Sequence, residues 1–290
     1  MELFISTLIN GLSLGGIYAM IALGYTMVYG IAKMLNFAHG DIIMVGGYVI
    51  YVFMATKNPI LAIVMAVVGC VILGIVIEKV AYKPLRGASP LAVLITAIGV
   101  SYLLQSLSQM IFGSAPKMVV VYELGAVSFL GANVQLSSLV TLGVTLVVMT
   151  ALTLFVKYTR LGRAMIAVSE DRGAAQLMGI NVNGIITITF AIGSALAALA
   201  GLFYLLKAPT VSNTMGAMPG IKAFTAAVIG GIGSIPGAML GGILLGMVEA
   251  VSYKIAAIAP YTDAIEFSIL ILILLVRPTG FLGKKRREKV

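Results

Sequence analysis

Charge is scarce in this sequence. Lysine and arginine together number 19, and aspartate and glutamate 10, in 290 residues that are 60% hydrophobic and 10% charged. A soluble domain carries about 25% charged residues, so a soluble globular fold is excluded and an integral membrane protein is expected. Cysteine occurs once, as Cys70 inside an apolar stretch, which excludes an internal disulfide. Histidine also occurs once, as His39, and cannot build a metal site alone. There is no G-x-x-x-x-G-K-[ST], no H-E-x-x-H and no paired-cysteine motif. The run Gly230, Gly231, Gly233 meets Pro236 where a dinucleotide fingerprint needs its third glycine. Long polar segments are missing too, which leaves no room for an ATPase, kinase or receptor domain. No catalytic constellation is found, so neither an enzyme nor a cofactor-binding chain is expected. The formal net charge of +9 would suit nucleic acid, but no basic groove is interleaved with aromatics. Most of the charge sits at the ends of apolar spans, where membrane topology accounts for it. The opening M-E-L-F-I-S-T-L-I-N has no basic n-region and no early cleavage site, and reads as a retained first span.

What is present is hydrocarbon in lengths that cross a bilayer, which takes about 20 apolar residues per helix. Such stretches lie near 5–30, 40–56, 60–79, 91–112, 136–156, 185–206, 220–233, 237–258 and 263–277. The seventh is short and suggests a half-helix. The expected fold is all-α: one polytopic domain over 1–290, a bundle of about 8–9 transmembrane helices, some broken or short. The distribution of positive charge orients it. With the C-terminus inside, the cytoplasmic loops hold Lys33; Lys79, Lys83 and Arg86; Lys157, Arg160, Arg163 and Arg172; and Arg277, Lys284, Lys285, Arg286, Arg287 and Lys289. That is fourteen of the 19 basic residues, with only Lys57, Lys117, Lys207, Lys222 and Lys254 outside. A cytoplasmic C-terminus is expected. The longest outside segment, 113–135, is marked as solvated by Pro116, Lys117 and Glu123, while Tyr122 and Phe129 suit an interface.

Three regions break the apolar pattern. The first is the polar loop 157–184, which carries a short-helix signature. Ser169 is positioned to cap, Glu170 and Asp171 fall in the first turn where negative charge suits the dipole, and Ala174 to Met178 propagate well. Gly179 stops the helix, and Ile180 packs back on it. This element is either a docking point for a partner or an ordinary connector. The second region, 30–48, puts Lys33, Asn36, His39 and Asp41 close together. An aspartate at the bilayer centre costs about 2.5–3.5 kcal/mol on insertion scales. It is read either as a turn in which Asn36 or Asp41 caps the next helix, or as a helix break lining a path. Both hold if the turn dips below the surface. The third region, 219–246, spaces Gly233, Gly237 and Gly241 by four, and likewise Ala238, Gly242 and Gly246. Such rows let helices approach closely, and interrupted segments in both halves of a transporter point toward its substrate path. Asn36, His39, Gly40 and Asp41, with Gly231, Gly233, Ser234 and Gly237, are the candidate lining of that path. Gly193, Ser194, Ala197, Ala198 and Gly201 form another small-residue face. Glu249 and Glu266 lie in or near spans, where bonding to a neighbouring helix is preferred over gating.

The stretches L-N-F-A-H-G-D-I-I-M-V-G-G-Y (35–48), G-R-A-M-I-A-V-S-E-D-R-G-A-A-Q-L-M-G-I-N-V (162–182) and A-A-V-I-G-G-I-G-S-I-P-G-A-M-L-G-G (226–242) resemble, in order, those of LivH-type permeases of branched-chain amino acid ABC transporters. The third block and the opening loop are similar to those of sugar permeases as well. N-F-A-H-G-D is more characteristic of the amino acid and urea or amide branch. The resemblance implies a permease that translocates leucine, isoleucine or valine by alternating access in a bacterial or archaeal cytoplasmic (inner) membrane. It implies four partners: a second homologous permease, two ATPase subunits that hold the ATP, and a periplasmic or extracellular substrate-binding protein. It also implies that Glu170, Asp171, Arg172, Gly173, Ala174, Ala175 and Gly179 dock on an ATPase subunit, although E-D-R-G-A-A stands where a shorter E-A-A motif is expected. A permease for urea or short amides, and an ATP-independent channel or carrier, are the competing expectations.

Overall fold

The computed structural model describes residues 2–122, 125–129 and 132–283. Glu123 and the terminal basic residues Lys284, Lys285, Arg286, Arg287 and Lys289, all used above in reading topology, lie outside the described residues. The described helices are α1 (Glu2–Ala32), α2 (His39–Met54), α3 (Pro59–Ile77), α4 (Pro90–Phe112), α5 (Leu136–Tyr158), α6 (Arg160–Glu170), α7 (Arg172–Leu177), α8 (Val182–Lys207), α9 (Ala217–Gly230), α10 (Ile235–Lys254) and α11 (Thr262–Val276). Seven helical segments are long and apolar enough to cross a membrane, and α2 and α9 are shorter apolar helices. All nine fall on the stretches expected from hydropathy. The fold is an all-α polytopic bundle.

Local signals set the boundaries. Asn58, Ser89 and Ser234 each accept a backbone N–H at the start of α3, α4 and α10, and a proline follows within the first turn of each. At its far end α3 runs into a π-helical turn, Glu78–Tyr82, and then a 3-10 turn, Lys83–Leu85.

At the centre α1 is held by backbone contact. A Cβ on Gly15 would stand 2.7 Å from Ile243 Cα, and one on Gly242 would overlap Ala19. The two glycine rows of 233–246 serve different neighbours. Gly242 and Gly246 seat α10 on α1, whereas Gly237 and Gly241 seat α10 on Gly230 and Ala226 of α9. The small face of α8 meets three helices, with Gly193 against Gly24, Gly201 against Ile43, and Ser194 against Gly74. Dispersion across such short separations takes the place of the hydrophobic effect, which lipid removes.

The bundle has two chemically distinct ends. At one, strand β1 (Lys117–Met118), which follows α4, pairs antiparallel with β4 (Thr210–Val211), which follows α8. The hairpin of β2 (Ala126–Phe129) and β3 (Ala132–Gln135) precedes α5. The opposite end is basic. It gathers the C-terminus of α1 with Lys33, the α3–α4 connector with Arg86, the helices α6 and α7, and the α9–α10 turn. The segment 277–283 joins them there, as Phe281 and Leu282 donate backbone bonds of 2.9 Å to Ile229 and Gly230.

Two helices begin inside the bundle. The His39 ring lies against Gly24 of α1, eight residues short of its end at Ala32, or about 12 Å at 1.5 Å per residue. The α1–α2 turn therefore folds back between the helices, with Lys33 in the left-handed region at φ 54°. Helix α9 starts at the same level. A Cβ on Gly40 would stand 3.3 Å from the Gly216 carbonyl carbon and 3.4 Å from Gly220 Cα. Starting within the bundle is why α2 and α9 are short.

The close approach of α10 makes a specific demand. Gly246→Ala, whose methyl would meet the Gly15 backbone, is expected to destabilise the protein by about 1–3 kcal/mol. Gly99→Ala, where an added Cβ meets nothing within 4 Å, is expected to be neutral or stabilising. Thermal unfolding in detergent checks the pair.

Candidate functional site

Where the starts of α2 and α9 meet, a groove of about 520 Å³ opens, closed on its far side by α4. Helix α4 contributes Leu94, Ile98, Ser101, Tyr102 and Gln105, whose spacing places them on one face. Across from them stand Tyr25 and Phe37, then Gly40 and Asp41 of α2, and Gly216, Gly220 and Ile221 around the start of α9. Asp41 is the one ionisable carboxylate in this lining, and it is 2% exposed. Gln105 Nε2 donates to Asp41 Oδ1 at 2.9 Å and to Ser101 Oγ at 3.2 Å. Neither Ala38 before α2 nor Gly216 before α9 supplies a side-chain cap; the first turns are closed by backbone bonds instead, His39 N to Asn36 O and Asp41 N to Ala38 O at 3.1 Å, and Ala217 N to Thr214 O at 3.0 Å. A neighbouring cavity of about 490 Å³ leads toward the basic end; Leu94 lines both, and Lys33, Arg86 and Arg172 line the second alone.

The other residues of the α1–α2 break support the groove from behind. Asn36 does not cap α2; its Oδ1 accepts the Tyr82 hydroxyl at 2.8 Å, and both residues are buried. His39 packs edge-on to Tyr25 with centroids 4.8 Å apart. Asp41 does not cap either, since its carboxylate turns to α4 instead. Gly231, Gly233, Ser234 and Gly237 stand elsewhere, in the α9–α10 turn at the basic end. Gly231 and Gly233 adopt φ 104° and 94°, conformations that favour glycine. Gly231 lies against Thr279 and Gly283, and Ser234 caps α10 through the Gly237 N–H at 3.2 Å. The structure thus separates the two groups of residues that the pattern of breaks had joined.

The polar loop holds two helices, and its capping differs from the expectation. Helix α6 reaches Glu170, so Ser169 lies within it and bonds Ile166 O at 2.7 Å instead of capping. The cap of α7 is Asp171, whose Oδ1 accepts Ala174 N at 3.0 Å. Glu170 closes α6 and takes no place in the first turn of α7. The stop is as expected. Gly179 has φ 79°, and Gly179 N and Ile180 N bond back to Gln176 O and Ala175 O, both at 3.0 Å. Helix α6 escaped the sequence reading because its arginines marked the segment as loop, while Gly162, Met165 and Val168 form a buried stripe. Glu170, Asp171, Gly173, Ala174 and Gly179 are exposed, and Ala175 is buried. Arg172 points inward and donates to Ile31 O at 3.1 Å and to Ala32 O, the last carbonyls of α1. Burial, with the Arg86 charge adding, holds its pKa below the usual arginine value. Leu177 and Met178 point outward, 91% and 82% exposed.

The acids inside the spans bond neighbouring helices. Lys222 of α9, read above as an outside residue, is itself buried. It meets Glu249 of α10 at 3.2 Å, and Asp263 and Glu266 of α11 at 2.8 and 3.2 Å. Tyr18 of α1 donates to Glu249 at 2.6 Å.

A bundle in which two half-length helices start side by side at a groove, with few buried charges, defines a polytopic transport protein. The family profile for the branched-chain amino acid transport system permease component matches residues 7–274, and the chain belongs to that family. It is 43% identical to the high-affinity branched-chain amino acid transport system permease protein BraD of Pseudomonas aeruginosa, over 99% of this chain and 98% of that protein. It is 42% identical, with the same coverage, to the corresponding LivH of Escherichia coli. The ribose import permease protein RbsC of Haemophilus influenzae is 31% identical over 45% of this chain and 42% of its own. The chain is a permease subunit of an ABC-type importer and not an enzyme.

The buried lysine makes its own test. Lys222→Met removes the cation that ion-pairs with Glu249 and Glu266, and an uncompensated buried charge costs about 3–5 kcal/mol. A marked fall in melting temperature is expected, partly recovered by adding Glu249→Gln and Glu266→Gln.

Proposed function

We propose that this chain is one of two homologous permeases of an importer for leucine, isoleucine and valine. In this reading the solute passes along the groove between α4 and the starts of α2 and α9, with the second permease closing the open side. The groove carries the proposal: its walls are apolar and aromatic, with one carboxylate and a few hydroxyl and amide groups. That suits a small solute with a branched aliphatic side chain and a charged head. A binding protein delivers the amino acid at the end that carries the strands. The basic end faces the cytoplasm, in keeping with the distribution of positive charge, in the inner membrane of a bacterium or archaeon.

Energy comes from ATP on two separate subunits, and α7 is the element that meets them. Its cap and its glycine stop fix a short rigid helix that holds Leu177 and Met178 out from a charged surface. Exposed apolar side chains on such a surface mark a contact site. The inward grip of Arg172 on α1 ties movement of α7 to the α1–α2 turn, and so to Asp41. Alternating access follows as rocking of the two permeases when the ATPases close.

Reconstitution with its partner subunits and binding protein in proteoliposomes tests the reading. ATP-dependent leucine uptake is expected, and uptake of urea or an amide without leucine would overturn it. Reversing the charges of Asp171 and Arg172 is expected to lower transport-coupled ATP hydrolysis while insertion is kept. Leu177→Asp with Met178→Asp should weaken co-purification of the ATPases without changing the fold of α7. Unchanged coupling in the first variant together with unchanged co-purification in the second would remove the docking role.

A further inference from the structure

We propose that Asp41 anchors the α-ammonium group of the transported amino acid, so that the permease carries a recognition site of its own. This rests on the groove being the transport path. Charge accounting among the buried acids makes the case. Glu78 is paired with Arg86, and Glu249 and Glu266 with Lys222. Asp41 is the exception. Among the described residues no cation forms an ion pair with it, and the groups around its carboxylate, the Gln105 amide that donates to it and the Ser101 hydroxyl, are neutral. An ionisable group inside a membrane span is costly, and marks a functional site when no structural partner accounts for it. The three paired acids hold helices together, whereas Asp41 lines a cavity.

The rest of the lining matches what an ammonium group would bring with it. Phe37, Leu94, Ile98 and Ile221 offer apolar surface of the kind an isobutyl or isopropyl side chain would cover. The groove, at about 520 Å³, falls within the range of small-molecule sites. On the side facing α4 stand the starts of α2 and α9, where the positive ends of two helix dipoles come together. These complement a carboxylate. Ammonium on Asp41, carboxylate toward the helix starts and side chain on the apolar wall is one consistent pose for a zwitterion.

Equilibrium binding to the assembled permease–ATPase complex in nanodiscs, without binding protein, tests the site. The probes are leucine and 4-methylpentanoate, which is leucine without its ammonium group. Wild type is expected to bind leucine and to prefer it over 4-methylpentanoate. A charge-assisted bond is worth about 1.5–3 kcal/mol, so Asp41→Asn is expected to weaken leucine binding about 10- to 100-fold. Asp41→Glu, which keeps the charge, should retain the preference. Equal binding of the two probes by wild type, no leucine binding by wild type, or unchanged leucine affinity in Asp41→Asn would each overturn the site. The wild-type comparison needs no variant, so it stands even if Asp41→Asn does not assemble. Failure of the broader reading looks different: wild-type proteoliposomes with binding protein would then take up no leucine on ATP.

Discussion

Everything in this bundle hangs on how closely other backbones can come to α1. Gly11, Gly15 and Gly16, with Gly24 further along, leave that helix without side chains where α10, α5, α8 and the His39 ring press against it. Lipid is as apolar as leucine, so burying leucine gains little here, and association depends on short-range dispersion between well-fitted surfaces. Close fit at the centre leaves α4 and α11 as peripheral helices with largely exposed apolar faces. It also lets α2 and α9 start part-way along the bundle, because glycines at Gly40, Gly216 and Gly220 allow their first turns to touch.

Buried charge is the second constraint, and it divides into two kinds. The Lys222 group ties α9, α10 and α11 together, with Tyr18 extending it to α1. Near the basic end Glu78 accepts both Arg86 and Thr187, and Arg86 reaches Asn183, so the π-helical turn after α3 is fastened to α8. In each case a buried side chain meets an opposite charge, Glu78 on Arg86 and Lys222 on Glu249 and Glu266, and the attraction offsets the loss of hydration only because the geometry is held by packed helices. Asp41 obeys a different rule: it is buried, met by the neutral side chains Gln105 and Ser101, and set in the wall of a cavity.

Arg172 links the two ends of this logic. It lies in α7, whose outer surface is apolar and exposed, yet its guanidinium bonds the terminal carbonyls of α1. Those carbonyls have no partner within their own helix, so the arginine satisfies a need of α1 while fixing α7. From Ala32 the chain passes through the folded-back turn to Asp41 within nine residues.

The number and placement of the apolar helices, the glycine stop at Gly179 and the packing role of Gly242 and Gly246 were all present in the sequence. Each depends on length, composition or local conformation, which neighbouring residues along the chain decide. The cap at Asp171 instead of Ser169, the separation of the Gly231–Gly237 turn from Asp41, and the partners Gln105, Tyr82 and Lys222 were not legible. Gln105 and Ser101 carried a faint signal, as two polar residues spaced by four in an apolar span. What the sequence alone determined is therefore a membrane bundle with a polar loop and two helix breaks, since hydropathy and helix propensity are local properties. Tertiary structure decided which break meets which helix, and which buried acid is left without a cation. Those facts depend on contacts between separate helices, 64 positions apart along the chain for Asp41 and Gln105, and no local rule specifies them.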